Sequence, residues 1–251
     1  MATAQTLLNN VLRGLRRDIV NATSTTDAYH ILLLQFLNSA KEELEDTWDW
    51  QALRTTVTVT IAASQVAYTL TASGDADVDV GPRSRLLYER PARVASDAFS
   101  LETTDWIQGS LPQVFDVTDS SEYRLDEISP EEMERLHFTD NNETANPSCF
   151  CLYKDASSVL MKVWPTPSAT RTFKMRFVIP QAGIPYSYMS SYSLSIPERP
   201  VWLKALVSAA EERGEDVGRP LSSLNRDAEN ALYLALARER LDVQDNTSYP
   251  V

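Results

Sequence analysis

The chain has 251 residues, 43% of them hydrophobic, with 35 acidic and 23 basic side chains and a formal net charge of −12. This length suffices to bury a sizeable core, in one domain or in two closely joined ones. A negative surface repels phosphates, which argues against sequence-independent nucleic-acid binding. No apolar run approaches the ~18 residues of a membrane span, and residues 1–5 lack signal-peptide character. With only two cysteines, Cys149 and Cys151, we expect a soluble protein made in a reducing cytoplasm.

Two amphipathic helices are predicted in the first 50 residues. Apolar side chains recur at helical spacing through residues 3–20, with three arginines toward the end that favours cations. A second apolar stripe covers about five turns from Tyr29 to Trp48. Several residues just before it, including Asp27, can cap the start of this helix.

The middle of the chain changes to a period of two, which is typical of β-strands. Residues 57–61 and 66–70 predict a β-hairpin, and residues 83–94 predict an edge strand because Pro91 cannot donate to a central ladder. Ser129-Pro130-Glu131-Glu132 is a compact helix start. Three further strands are predicted at 149–154, 159–164 and 172–179.

The C-terminal part returns to helical spacing. A linker rich in Ser and Tyr, residues 180–195, leads to a helix that carries Trp202 and ends near Glu215. After a turn at Gly218-Arg219-Pro220, a second alanine-rich helix extends to about Val243. The fold class is therefore predicted as α+β, an antiparallel helical bundle (1–54 and 196–243) interrupted by a mostly antiparallel β insertion domain (55–195), with a flexible tail (244–251).

The sequence contains no catalytic signature. His30 and His137 have no helical i±4 ligand partner, and there is no H-E-x-x-H, G-x-S-x-G or Gly-rich phosphate motif. We therefore predict neither enzyme activity nor a cofactor.

One acidic loop is a candidate calcium site. Asp75, Asp77 and Asp79 alternate as the first ligands of an EF-hand do, but the glycine falls at the seventh position and Leu86 stands where the bidentate glutamate belongs. An acidic solvated loop is the favoured interpretation.

Three tryptophans are interpreted as marking the junction between helical frame and insertion. Trp48 continues the helical stripe, and Trp50 is expected to face elsewhere as the chain leaves the helix, in a position to pack under the insertion. Trp202 is assigned to the core of the returning helix. A cofactor or sugar platform at Trp50 is the less favoured alternative.

The two ends of the predicted frame resemble the head-to-tail adaptor proteins of tailed bacteriophages, also called connector or tail tubular A-like proteins. The resemblance lies in these segments: the helix with Phe36-Leu37-Asn38-Ser39-Ala40-Lys41-Glu42-Glu43-Leu44, then Trp48-Asp49-Trp50 and Leu53-Arg54-Thr55-Thr56, and later Ile196-Pro197-Glu198, Trp202 and the alanines Ala228, Ala231, Ala235 and Ala237. The insertion resembles the family only in being mostly β.

The resemblance implies a structural protein at the head–tail junction of the virion. Such a protein forms a ring, usually of twelve copies, between the portal protein and the tail tube or nozzle protein, and DNA passes through the lumen without specific binding. Packing between neighbouring helical frames would build the ring. Tyr249, Pro250 and Val251 would order against the portal. The acidic balance is compatible with a conduit that repels DNA.

Two other functions remain open on the sequence alone. Aromatic residues in the β region are compatible with a carbohydrate- or receptor-binding tail module: Trp106, Phe115, Tyr123, Phe150, Tyr153 and Trp164. A cell-wall hydrolase that uses acidic residues of the same region is less favoured, because no carboxylate pair stands out in a glycine-lined cleft.

Overall fold

The computed structural model describes residues 3–17, 27–89, 111–118, 123–139, 143–187, 189–213 and 220–245. Over these ranges the fold is α+β with mostly antiparallel sheets, as predicted. The chain divides into two compact units, one formed by residues 1–53 and 180–251 and the other by Arg54–Ile179. The sequence-based boundary lies at residue 196, whereas the structure counts residues 180–195 with the helices.

The described ranges contain five α-helices: α1 (Ala4–Gly14), α2 (Ala28–Thr47), α3 (Pro130–Thr139), α4 (Glu198–Arg213) and α5 (Leu221–Asp245). Capping explains where the first two begin. The Thr3 side chain accepts the Thr6 N–H at 3.3 Å, and Asp27 accepts the N–H groups of Tyr29 and His30 at 2.8 and 3.2 Å. These contacts satisfy amide groups that have no partner inside the helix.

The first helix is shorter than the predicted segment 3–20. It stops at Gly14, and Arg16 takes a left-handed φ of 56°. The Arg16 N–H then donates to Arg13 O and the Arg17 N–H to Leu12 O, which is the hydrogen-bond pattern of a Schellman C-cap. In the sequence the apolar stripe continues past this cap to Ile19, so hydrophobic spacing alone predicts too long a helix.

Helix α4 is the centre of the helical unit, where it packs against α1, α2 and α5. Its buried side chains cover more than one stripe, as expected for a helix surrounded by others: Val201, Leu203, Ala205, Leu206, Val207, Ala209 and Ala210. Helix α1 approaches it closely, since a Cβ on Gly14 would stand 2.6 Å from Leu206 Cδ2.

The described residues of the second unit form thirteen strands: β1 (Arg54–Ile61), β2 (Ala67–Thr69), β3 (Arg85–Leu86), β4 (Tyr88–Glu89), β5 (Leu111–Pro112), β6 (Val114–Asp116), β7 (Tyr123–Arg124), β8 (Asp126–Glu127), β9 (Thr144–Ala145), β10 (Cys149–Lys154), β11 (Val159–Trp164), β12 (Thr166–Pro167) and β13 (Arg171–Val178). One sheet has the order β1-β13-β6-β7, with β3 also on β13, and another has the order β2-β11-β10-β8. The strands β12 and β9 form one further small pair, and β4 and β5 form another.

The predicted hairpin between residues 57–61 and 66–70 is wrong. All eight residues of β1 pair with β13, from Arg54 opposite Val178 to Ile61 opposite Arg171, and β2 pairs with β11. Alternation identifies which side chains are buried but not which strand pairs with which. The hairpin of β10 and β11 is as predicted, with Cys149 opposite Trp164.

Inward side chains of these strands form one apolar core: Val57, Val59, Ile61, Tyr68, Phe150, Met161, Phe173, Met175 and Phe177 are all at most 1% exposed. Helix α3 packs on β10 and β11. Ser129 caps it as predicted, since its hydroxyl accepts the Glu132 N–H at 3.2 Å.

Candidate functional site

The end of α2 places a tryptophan against its own helix. The helix stops at Thr47, and Trp48 takes an extended conformation (φ −149°, ψ 154°) that turns the chain back. The Trp50 indole N–H thereby donates to Leu44 O at 2.7 Å, while its ring is 1% exposed. This hydrogen bond holds the indole against the last turn of α2. Trp50 is thus part of the first unit, four residues before the second unit begins.

Beside Trp50 lies a cavity of about 300 Å³, which we call the Trp50 cavity. It is lined by Trp50, Ala52, Leu194, Ser195, Ile196, Pro197, Glu198 and Glu239. The Glu239 carboxylate accepts the N–H of Gln51 and so joins α5 to the segment that follows α2. The cavity has an apolar wall and two carboxylates, while none of these described lining residues is Lys, Arg or His.

Residues 180–195, which we call the strap, are tied to one face of α2. The Asn38 side chain accepts the Ile184 N–H at 2.6 Å and donates to Ile184 O at 3.2 Å. One turn further along the helix, Lys41 Nζ donates to Gln181 O at 2.7 Å, and Glu45 accepts the Gln181 N–H at 3.1 Å. The strap is thereby held at two points, and its partners on α2 lie 136 to 146 residues away in the sequence.

At the second of these points lies a buried ion pair within α2. Lys41 Nζ lies 3.0 and 3.1 Å from the two carboxylate oxygens of Glu45, and both side chains are 0% exposed. Charges in such an environment are stable only when they are paired and hydrogen-bonded, and the Gln181 backbone supplies a hydrogen-bond partner to each of them. The sequence alone does not reveal this cluster, because an i,i+4 Lys–Glu pair usually lies on the surface of a helix.

The far end of the strap closes on itself and on α1. The Gln181 side chain donates to Ser193 O and accepts the Ser195 N–H, and the Ala4 N–H donates to Tyr192 O at 3.0 Å. Burial, together with the nearby Glu45 carboxylate, raises the pKa of Tyr192 to about 12. The strap is therefore an integral part of the helical unit.

Of the remaining predicted site residues, the structure describes the tryptophans but not the C-terminal tail. Trp48 and Trp202 are half-buried in the helical unit. The predicted contact of Trp50 with the insertion, and the junction role of all three tryptophans, stay predictions. Tyr249–Val251 lie outside the described residues.

The carboxylates of the acidic loop, Asp75, Asp77 and Asp79, form hydrogen bonds to the backbone of the β unit. Each carboxylate accepts one backbone N–H: Asp75 that of Thr69 at 2.8 Å, Asp77 that of Thr58 at 2.7 Å, and Asp79 that of Ala72 at 2.7 Å. Within the described ranges, no group of three or more His, Cys, Asp or Glu side chains is arranged to hold a metal ion.

The side chains with the most reactive chemistry serve packing. Cys149 and Cys151 are free and buried, and burial raises the pKa of both thiols, that of Cys151 to about 11. A thiol with a raised pKa is a poor nucleophile because little of it is thiolate at neutral pH. Burial, with the charge of Lys162, lowers the pKa of His137, which lies on α3.

Comparison with known proteins identifies the family. The family described as SU10 adaptor protein matches residues 2–251, which is almost the whole chain. No curated protein matches the sequence. Among the described helices, none combines the length and apolar character needed to cross a bilayer. The chain therefore belongs to the SU10 adaptor protein family, the head-to-tail adaptors of bacteriophages, which are structural components of the virion.

Proposed function

We propose that the protein forms a homo-oligomeric ring, of twelve copies as the family resemblance implies, at the head–tail junction. The portal protein binds on one side of this ring and the tail tube or nozzle protein on the other, and DNA passes through the lumen without specific binding. The observation that carries the proposal is the family match over residues 2–251. The net charge of −12 supports the proposed conduit, since an acidic lumen repels DNA.

The two units have different roles in this proposal. The helical unit is the oligomerising frame, an antiparallel bundle whose strap is tied to α2 by the hydrogen bonds of Gln181 to the buried Lys41 and Glu45. A rigid unit loses little conformational entropy on assembly, which favours ring formation. The β unit is the insertion that presents a contact surface to tail proteins. The C-terminal residues Tyr249, Pro250 and Val251 are proposed to order against the portal.

The test is assembly on isolated portal rings of the same phage, observed by electron microscopy. We expect a second ring of density on one face of the portal and no release of phosphate, sugar or peptide products. A chain that stays monomeric and fails to bind the portal would refute the proposal. Deleting residues 249–251 should weaken portal binding and leave the folded monomer unchanged.

The carbohydrate-binding alternative makes a different prediction, namely that the full chain binds host glycans. Of its aromatic residues, Phe150 is fully buried, Tyr123 is 55% exposed, and Trp106 lies outside the described residues. A glycan array without signal would remove this alternative, and a zymogram without lysis would remove the hydrolase.

A further inference from the structure

One outward face of the β unit is basic. In a sheet, side chains alternate between the two faces, and residues opposite each other in the register share a face. Phe173, Met175 and Phe177 of β13 point into the core, so Lys174 and Arg176 point away from it. The register places three more cations on the same side, and we call the five the basic face: Arg54, Arg85, Arg124, Lys174 and Arg176.

No carboxylate shares this face among the strand residues that the structure describes. The other side chains on it are uncharged: Thr56, Thr58, Thr60, Phe115, Thr172 and Val178. Lys174 and Arg176 are exposed, and within the described ranges neither forms an ion pair, although the Arg176 guanidinium donates to Gln113 Oε1 at 3.5 Å. Since the net charge is −12 and this face contributes +5, all other residues together carry −17. The basic face therefore suits an anionic partner.

Helix α3 lies on the opposite side of the β unit. The second sheet contributes Met161 to the core that it shares with Met175 of the first sheet. Tyr153 and Lys162 face away from that core, because they alternate with residues that point into it, and both contact α3. The Tyr153 hydroxyl donates to a carbonyl of the first turn of α3 at 3.3 Å, and Lys162 pairs with Glu134. The basic face and α3 are thus separated by two sheets and the core between them.

The side that carries α3 is acidic. Three exposed carboxylates form what we call the acidic patch: Asp126, Glu131 and Glu132. Burial, with a contribution from Asp126 and Glu132, raises the pKa of the Cys149 thiol, and Glu131 contributes in the same way at Cys151, so all three lie near β10. Arg135 pairs with Glu132 at 3.4 Å, whereas neither Asp126 nor Glu131 has a cation partner among the described residues. The patch therefore keeps a net negative charge.

The basic face and the acidic patch point in opposite directions. Where they come closest in the sequence, the chain crosses between the sheets at the buried Leu125, so Arg124 faces outward from one sheet and Asp126 from the other. Two basic faces repel each other, so this face can bind a second copy only through a different surface of that copy. Such a contact is heterologous, and heterologous contacts close into rings when the rotation permits. In a ring of twelve, the two contact directions of each copy are about 150° apart, which two opposite faces approach.

We propose that the basic face of each β unit packs against the acidic patch of the β unit in the next copy. Lys174 and Arg176 then lie against Asp126 and Glu131, and complementary charge sets the register between neighbouring copies. This inference rests on the proposed ring, and it adds contacts between β units to those of the helical units.

Charge reversal tests the contact from each side. The basic-face variant carries Lys174→Glu and Arg176→Glu, and the acidic-patch variant carries Asp126→Lys and Glu131→Lys. Each should lower the fraction of portal rings that carry an adaptor ring by about tenfold or more, because like charges then meet at every contact. All four side chains are exposed, so the melting temperature of the monomer should not change. Lys154→Glu, at an exposed lysine outside both surfaces, is the control for Lys174→Glu alone and should assemble normally.

An equal mixture of the two variants tests whether the contact runs head to tail. In a ring where the variants alternate, each unchanged basic face meets an unchanged acidic patch, and each reversed face meets a reversed patch. Every contact then joins opposite charges, and a ring of twelve permits strict alternation because the number is even. The mixture should therefore assemble on the portal as wild-type chains do, and so should a single chain with all four changes. No recovery in either case would overturn the pairing.

The failures of the two proposals are distinguishable. If wild-type chains form rings on the portal and both variants do so equally well, the contact between β units is wrong and the ring stands. If the basic-face variant forms normal rings but these lose DNA or the tail protein, the face binds that anionic partner instead, which also overturns the assignment. If wild-type chains form no ring on the portal, the proposed function itself fails.

Discussion

The buried Lys41–Glu45 pair gives the sharpest test of how the strap is held. Lys41→Met keeps most of the side-chain volume but removes the charge that pairs with the Glu45 carboxylate, which is 0% exposed and accepts the Gln181 N–H at 3.1 Å. Removing one partner of a buried pair typically costs about 3–5 kcal/mol. We expect the free energy of unfolding of the helical unit to fall by about 3 kcal/mol and its melting temperature by about 10 °C.

The assay is thermal and urea unfolding followed by circular dichroism at the helical band. A matched control is available in the same unit, because Lys204 and Glu43 also form a Lys–Glu pair but are 38% and 60% exposed. Lys204→Met should cost under about 1 kcal/mol, since solvent screens such a pair.

A double-mutant cycle completes the test. Lys41→Met and Glu45→Leu together should cost less than the sum of the two single changes, with a coupling energy above about 1 kcal/mol. If Lys41→Met destabilises the protein no more than Lys204→Met does, the buried pair does not hold the strap and the reasoning is refuted.

Three further outcomes follow from the contacts described. Trp50→Phe removes the indole N–H that donates to Leu44 O. Unfolding measured by circular dichroism should show that the free energy of unfolding falls by about 1–3 kcal/mol. An unchanged free energy of unfolding would contradict a structural role for this hydrogen bond. Asp77→Ala should destabilise the β unit by about 1 kcal/mol, because the Thr58 N–H loses this acceptor. Calcium should not raise the melting temperature of the wild-type protein. A calcium-dependent rise would restore the interpretation of the loop as a metal site. Because the pKa of His137 is lowered in the folded protein, the unfolded chain takes up the proton first as the pH falls. The contribution of His137 to stability should therefore be constant above about pH 6.5 and fall below it. In urea unfolding measured between about pH 5 and 7.5, His137→Asn should reduce the slope of the midpoint against pH.

The helical elements were predictable because their signals are local. The stripe from Tyr29 to Trp48 and the cap at Asp27 lie within one helix, and the structure begins α2 at Ala28. The premature end of α1 was not predictable from the same spacing. It depends on the left-handed conformation of Arg16, which a non-glycine residue rarely adopts.

Strand pairing was predictable only where a short turn joins the two partners. The β10–β11 hairpin satisfies that condition, because four residues separate its strands. The partner of β1 is β13, more than 100 residues away, and local alternation contains no information about so distant a contact.

By itself, the sequence determined the α+β class, the two helical ends and the adaptor resemblance, since each depends on residue spacing within one segment. Only the tertiary structure decided that residues 180–195 belong with the helices, that Lys41 and Glu45 are buried, and that Trp50 borders a cavity. The physical reason is the same in all three cases. The groups that satisfy these polar and apolar side chains come from segments more than 100 residues apart, and folding alone brings them together.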